Sequence, residues 1–389
     1  MYLTRSREAS LFAALATALT GYLVLDALNG LETTLFMLLT MTTFGSLINS
    51  CDRGAGYLWP TLWLYLTALT RPDGYWFAVS MLLYLIARAL FRREELRHLA
   101  TLSGSLLGAM ELALATQWLL TGTPTPHTAL AKVYFFNEYR HQFNLKSKIY
   151  FQNMGLIGGP LILQLLPLFW TKKARPLLMA ILPWIVISQL MLLMLLPSSI
   201  SAYEGRYLHP LMPFLFILAG DGAHNLLHSF GKYPIPRWGT VMALSCIPFI
   251  CYFNLVTMQA SYVNEKVAIR NNHFWAVTWL QANAPKNILI ATHDIGVLRY
   301  FGHYQVLDIA GLVDEEAMAR NRAQSGQFDY LIEKRPDYIV ADDWWLQQYA
   351  NYPADALHLH ATPVAVAHTN AFEVVQLSIY RCHWNQSSN

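Results

Sequence analysis

The residues best suited to chemistry in this chain form a short run past its midpoint, Arg206-Tyr207-Leu208-His209. An arginine at the end of an apolar helix, with tyrosine and histidine on adjoining faces, suits a phosphate held at lipid-headgroup level. The guanidinium presents a planar fork of donors that matches two phosphate oxygens. The alternative for Arg206 is snorkelling, with its stem in hydrocarbon and its head in water. Lys132 lies among aromatic residues and is either a second phosphate contact or a general electrostatic anchor. Arg71 and Asp73 flank Pro72, and form either a plain reverse turn with an exposed ion pair or part of the floor of a polar cavity. Glu32 opens an apolar stretch, where a carboxylate either favours the helix N-terminus through its dipole or faces an outer cavity. Glu204 belongs to the short loop that leads into Arg206.

Such residues need elements that bring them together, and composition says what those elements are. Of 389 residues 54% are hydrophobic and 13% charged, about half the charge of an ordinary soluble domain, where roughly 25% is usual. Mean hydropathy is +0.29. From Ser10 to Met258 the chain is a series of apolar runs near the ~20 residues that a bilayer core requires. The expected fold class is a polytopic α-helical membrane protein of about nine spans followed by an extracytoplasmic α/β domain. The membrane part takes residues 1–258 and the soluble part residues 259–389. The spans fall at Glu8–Leu28, Leu31–Ile48, Gly56–Leu69, Tyr75–Leu90, Leu99–Leu120, Met154–Trp170, Pro176–Leu196, Arg206–Gly220 and Trp238–Val256. Arg5 and Arg7, then Arg53, then Arg88 to Arg97, then Lys172 to Arg175, then Lys232 and Arg237 make every second loop basic. The positive-inside rule then puts the N-terminus in the cytoplasm and the C-terminal domain outside a bacterial cytoplasmic membrane.

The longest outer loop, Thr121 to Asn153, mixes bases with Tyr134, Phe135, Phe136 and Tyr139, and reads as interfacial helices lying along the headgroups. Beyond the last span, Ser261–Asn283 is amphipathic, with Phe274, Trp275, Val277, Trp279 and Leu280 suited to packing on a sheet. Short β-branched runs at Asn287–Thr292, Gln305–Ile309 and Asp337–Ala341 alternate with helical segments, and Val364–His368 with Phe372–Ile379 adds a closing hairpin. Asp294 and Asp308 follow apolar strands, where a carboxylate usually caps a turn.

Several functions lack their signals. A net charge of +3 without a Lys/Arg run interleaved with aromatics disfavours nucleic-acid binding. Cys51, Cys246, Cys251 and Cys382 are placed for neither a disulfide framework nor a metal cluster. No phosphate-binding glycine loop, Rossmann fingerprint, HExxH or nucleophile elbow occurs. A transporter would show inverted repeats with interrupted helices, and the sequence contains neither.

In order along the chain, Leu28-Asn29-Gly30-Leu31-Glu32-Thr33, Ala68-Leu69-Thr70-Arg71-Pro72-Asp73-Gly74, Ala131-Lys132-Val133-Tyr134, Gly205-Arg206-Tyr207-Leu208-His209-Pro210-Leu211-Met212-Pro213 and Asp308-Ile309-Ala310-Gly311-Leu312-Val313-Asp314 resemble the GT-C superfamily of membrane glycosyltransferases. The nearest branch is the one containing the terminal arabinofuranosyltransferases of mycobacterial cell walls. The resemblance implies transfer of a sugar from a polyprenyl-phosphate donor to a glycan or lipid-linked acceptor on the outer membrane face. An outer carboxylate deprotonates the acceptor, and cations stabilise the departing phosphate. It implies Arg206 and Lys132 at the phosphate, His209 and Tyr207 assisting, and Glu32, Arg71 and Asp73 lining the cavity. The family places its main acidic motif in a first large outer loop, and no such loop precedes Leu28. The chain therefore resembles a member without its N-terminal catalytic hairpin, leaving Glu32 and Glu204 as the weak candidates for the base. Some relatives hold a divalent cation with that acidic loop, so metal dependence stays open. The alternative is a catalytically incomplete subunit that binds polyprenyl phosphate or assists a partner enzyme.

Overall fold

A computed structural model describes residues 7–30, 32–54, 56–91, 96–124, 126–157, 175–197, 205–229, 237–342, 346, 360–367 and 377–384. The chain divides into two compact units. One comprises Met1–Thr125 with His141–Gln259, and the other comprises Pro126–Arg140 with Ala260–Asn389.

In the first unit, helix α1 (Arg7–Leu19) and α2 (Gly21–Leu28) are bent by 52° at Thr20, whose extended backbone interrupts the helix. Helix α3 (Thr33–Arg53) ends at Gly54, where φ of 63° supplies the left-handed stop that glycine adopts cheaply. Helices α4 (Leu58–Thr70) and α5 (Asp73–Phe91) are joined by a tight turn. Gly74 makes that turn, because a Cβ there would lie 2.6 Å from the Thr67 carbonyl oxygen. Helix α6 (Leu96–Thr121) follows, then α7 (His127–Phe136) of the other unit, α8 (Phe143–Ile157) and α9 (Arg175–Leu195). A 3₁₀ turn at His209–Leu211 leads into α10 (Met212–Ser229), and α11 runs over Arg237–Ile269. Phe44, Leu47, Leu64, Met81, Leu102 and Phe214 are fully or almost fully buried where α3, α4, α5, α6 and α10 meet. Leu38, Trp59, Ile86, Leu112, Trp118 and Leu119 point outward and are exposed. An apolar exterior of this extent marks a face that meets lipid or another protein.

The expectation of nine spans is corrected. Among the described residues two helices, Thr33–Arg53 and Leu96–Thr121, are long and apolar enough to cross a membrane, or three if the bent pair of α1 and α2 counts as one span. Apolar runs do not all become straight helices of spanning length. The run at Gly56–Leu69 yields a helix of 13 residues, about 20 Å long against a ~30 Å hydrocarbon core. The run at Glu8–Leu28 breaks at Thr20, and the run at Arg206–Gly220 opens with a turn and a 3₁₀ segment. Most of Met154–Trp170 lies outside the described residues.

The second unit is built on a five-stranded mixed sheet in the order β2-β1-β3-β5-β4. Strands β1 (Leu289–Thr292), β2 (Gln305–Asp308) and β3 (Tyr338–Asp342) are parallel, while β4 (Ala361–Val366) and β5 (Leu377–Cys382) complete an antiparallel side. A π-turn at Arg270–Phe274 leads from α11 into α12 (Trp275–Asn283), which packs Ala276, Val277 and Leu280 against Ile290, Val340 and Ile379. Helices α13 (Ile295–Tyr300), α14 (Glu315–Ala323) and α15 (Gln327–Lys334) fill the connections. Leu331, Ile339 and Tyr380 form the other face of the core, and each such buried side chain contributes roughly 1.5–3 kcal/mol of transfer free energy.

Helix α7 joins this second core. It packs on α14, with Phe135 buried beside Ala291 and Leu307. Asn137 Nδ2 donates to Gln324 Oε1 at 3.0 Å, and Gln324 Nε2 donates to the Tyr134 carbonyl at 3.0 Å. Of the aromatic residues between Thr121 and Asn153, Phe135 is thus buried in the second core, while Phe143 and Phe151 are exposed.

Candidate functional site

The sequence candidates of the first unit converge on one polar cluster. Glu32 occupies the N-cap position of α3, and Thr33 is its first residue. Arg71 ends α4 and Asp73 begins α5. Gly205, at φ of 86°, turns the chain into Arg206 and Tyr207. The Thr33 hydroxyl is the shared point: it accepts from Arg71 Nη1 at 3.1 Å and from Arg206 Nε at 3.2 Å. Arg206 Nη2 also pairs with Glu32 Oε1, which lies 3.7 Å from Arg71 Nη1. Arg71 Nη2 donates to Asp73 Oδ2 at 2.7 Å.

Arg71 is held on its faces as well. Its Cζ lies 5.3 Å from the Phe36 ring centre and 5.6 Å from that of Tyr207, the stacking a planar guanidinium favours. The Arg71 and Arg206 side chains are 4% and 11% exposed, those of Asp73 and Glu32 33% and 43%. The cations therefore form the fixed floor and Glu32 the accessible rim. Burial pushes the Glu32 carboxyl up, but its own backbone N–H, Arg206 and Arg71 together hold it below the usual carboxylate range.

His209 turns inward from this cluster. It is fully buried, with Nδ1 2.7 Å from Asp26 Oδ2 on α2 and the Tyr22 ring 5.4 Å away. It ties the segment carrying Arg206 and Tyr207 to α2. Lys132 sits on α7, in the second unit. Glu204 lies outside the described residues.

Sequence reasoning passed over Thr33, Phe36 and Asp26. Asp26 carried a usable signal, since a lone acid within an apolar stretch normally has a specific partner. Thr33 and Phe36 carried none, because their roles arise only where α3, α4 and the Arg206 turn meet.

In the same unit, α1, α2, α3 and α10 line an apolar crevice of about 660 Å³. Leu28 and Thr34, which bracket the Glu32–Thr33 turn in sequence, line it together with Leu23, Met37, Pro213 and Ile217. The arrangement offers two fixed guanidinium groups on Thr33 and an apolar crevice whose lining begins at the next residue of α3, Thr34. A divalent cation does not fit these residues: Glu32 and Asp73 are both engaged by arginine, and among the described residues no three His, Cys, Asp or Glu side chains are placed to hold a metal.

The second unit has its own polar centres. Asp308 is buried and accepts from the backbone N–H groups of Ala310, Gly311 and Val313, which makes it the knot of the turn after β2. Burial raises its carboxyl despite those bonds. His273, in the π-turn, lies 2.6 Å from Asp294 through Nε2.

A family described as a domain of unknown function (DUF8728) matches residues 263–380, a stretch within the second unit. Neither a curated protein nor a solved structure matches the chain.

Proposed function

We propose that this chain is an integral protein of a bacterial cytoplasmic membrane that binds a polyprenyl-phosphate sugar. Its phosphate sits at Arg206 and Arg71, and its isoprenoid tail lies in the crevice between α1, α2, α3 and α10. The observation that carries the reading is the pair of guanidinium groups joined through the hydroxyl of Thr33, the residue before Thr34 of the apolar crevice. Charge-assisted bonds from a buried, stacked Arg71 and a nearly buried Arg206 are strong, and the groups need little reorganisation to make them. Glu32, on the rim, rotates outward to let the phosphate in.

A second reading adds chemistry at the same place, favoured by the half-exposed Glu32 carboxylate at the mouth. A glycan or lipid-linked acceptor hydroxyl attacks the anomeric carbon, the bond to the phosphate oxygen breaks, and Glu32 takes the hydroxyl proton. Its ion pairs make Glu32 a weak base, so binding without transfer stands first.

The test uses the full-length protein in lipid nanodiscs with labelled polyprenyl phosphate. Arg206→Ala and Arg71→Ala should each weaken binding about tenfold or more; equal binding by wild type and both variants refutes the site. Labelled polyprenyl-phosphate sugars then address the second reading, which fails if no product forms or if Glu32→Gln transfers as fast as wild type.

A further inference from the structure

The second unit carries an exposed aromatic ridge with cations on both flanks. The rings of Phe274 and Phe301 lie 4.9 Å apart, and Tyr300 is 4.8 Å from Phe301. All three are exposed, Tyr300 to 74%. One flank is a hollow lined by Lys266, Ile269, Arg270 and Phe274, and the other a hollow lined by Arg299, Tyr300, Phe301 and His303. Neither hollow is lined by an acid. Asp294, nearby in sequence, is taken by His273. Among the described residues Lys266, Arg270 and Arg299 form no ion pair: Lys266 lies over the Tyr262 ring, and Arg299 donates to the Tyr304 carbonyl.

Exposed aromatic rings cost free energy in water, and three uncompensated cations around them repel one another. Both penalties disappear against a surface that is apolar just beneath a layer of negative charge. A bilayer containing anionic lipid is such a surface, with rings entering at headgroup depth and bases meeting phosphates. We infer that the ridge of Phe274, Tyr300 and Phe301, with Lys266, Arg270 and Arg299, docks the second unit on anionic lipid headgroups. This rests on the membrane reading of the preceding subsection.

The experiment uses full-length protein in vesicles of phosphatidylcholine alone or with phosphatidylglycerol, doped with a phospholipid bearing a photoreactive diazirine near its headgroup. Labelled peptides are mapped by mass spectrometry. Peptides covering 262–274 and 297–303 should be labelled in the phosphatidylglycerol vesicles, and about tenfold less in phosphatidylcholine, in high salt, or in Lys266→Glu/Arg270→Glu/Arg299→Glu. Peptides from Thr33–Arg53 serve as the internal control for the membrane reading. Labelled Thr33–Arg53 peptides without label on the ridge, ridge labelling insensitive to lipid charge, or cross-links joining two ridges each overturn the docking. No label on either set overturns the membrane reading and the docking with it.

Discussion

Asp26 Oδ2 and His209 Nδ1 lie 2.7 Å apart with side-chain exposures of 3% and 0%. This contact fastens the turn before α10 to α2, and so fixes where Arg206 and Tyr207 stand.

Removing one partner of such a pair leaves the other buried and unsatisfied. Asp26→Ala should destabilise the first unit by about 2–4 kcal/mol and weaken polyprenyl-phosphate binding. Asp26→Leu/His209→Phe, which removes both polar groups, should melt closer to wild type than the single variant. Thermal unfolding in detergent measures this, and equal melting of wild type and Asp26→Ala contradicts it.

Arg71 tests whether a fork or merely a charge is needed. It bonds Thr33 and Asp73 in the plane of its guanidinium while Phe36 and Tyr207 cover its faces. An ammonium reproduces neither arrangement. Arg71→Lys should therefore lose most of the phosphate affinity that Arg71→Ala loses. Thr33→Val, which removes the shared acceptor, should cost about 1 kcal/mol of stability.

The turn between α4 and α5 is equally constrained. A methyl at position 74 would sit 2.6 Å from the Thr67 carbonyl and push α5 away from α4. Gly74→Ala should lower stability by about 1–3 kcal/mol and disturb the Arg71–Asp73 pair, readable as a joint fall in melting temperature and phosphate binding.

His293, at the end of β1, makes the second unit acid-sensitive. Loss of solvent pushes its imidazole from the ordinary 6.5 down to about 4, against a smaller opposing pull from Asp294. The unfolded chain thus binds a proton that the folded chain refuses between those two values. Stability is full above about 6.5 and falls as the pH drops towards about 4. A pH series of tryptophan-monitored melts should show this slope, and His293→Phe should flatten it.

Thiol chemistry offers a last check. Burial, with Asp337 nearby, pushes the Cys382 thiol up to about 12, so it carries little of the reactive thiolate at neutral pH. Peptide-resolved alkylation at pH 8 should modify Cys382 far more slowly than an unfolded control.

Strand positions were legible because β-branched runs bounded by turn residues say much locally. The readings for β1, β2 and β3 lie within two residues of Leu289–Thr292, Gln305–Asp308 and Tyr338–Asp342. Span count was not, because hydropathy measures apolar length and is blind to the break at Thr20 or to the 3₁₀ turn at His209–Leu211. Within the site, Glu32, Arg71, Asp73, Arg206 and Tyr207 were visible as charges and rings at helix ends. The hydroxyl of Thr33 that joins them was not, since sequence spacing of 38 and 173 residues hides both of its bonds.

The place of α7 bears on how the second unit comes into being. Asn137 and its partner Gln324 are 187 residues apart, so α7 stays unmatched until α14 has been made. Contacts that distant are slow to close. A fragment beginning at residue 260 lacks Phe135 and the caps from Tyr134 and Asn137, and exposes the apolar seam on α14 that they cover. The segment from Pro126 to Arg140 completes a core otherwise built from residues 260–389.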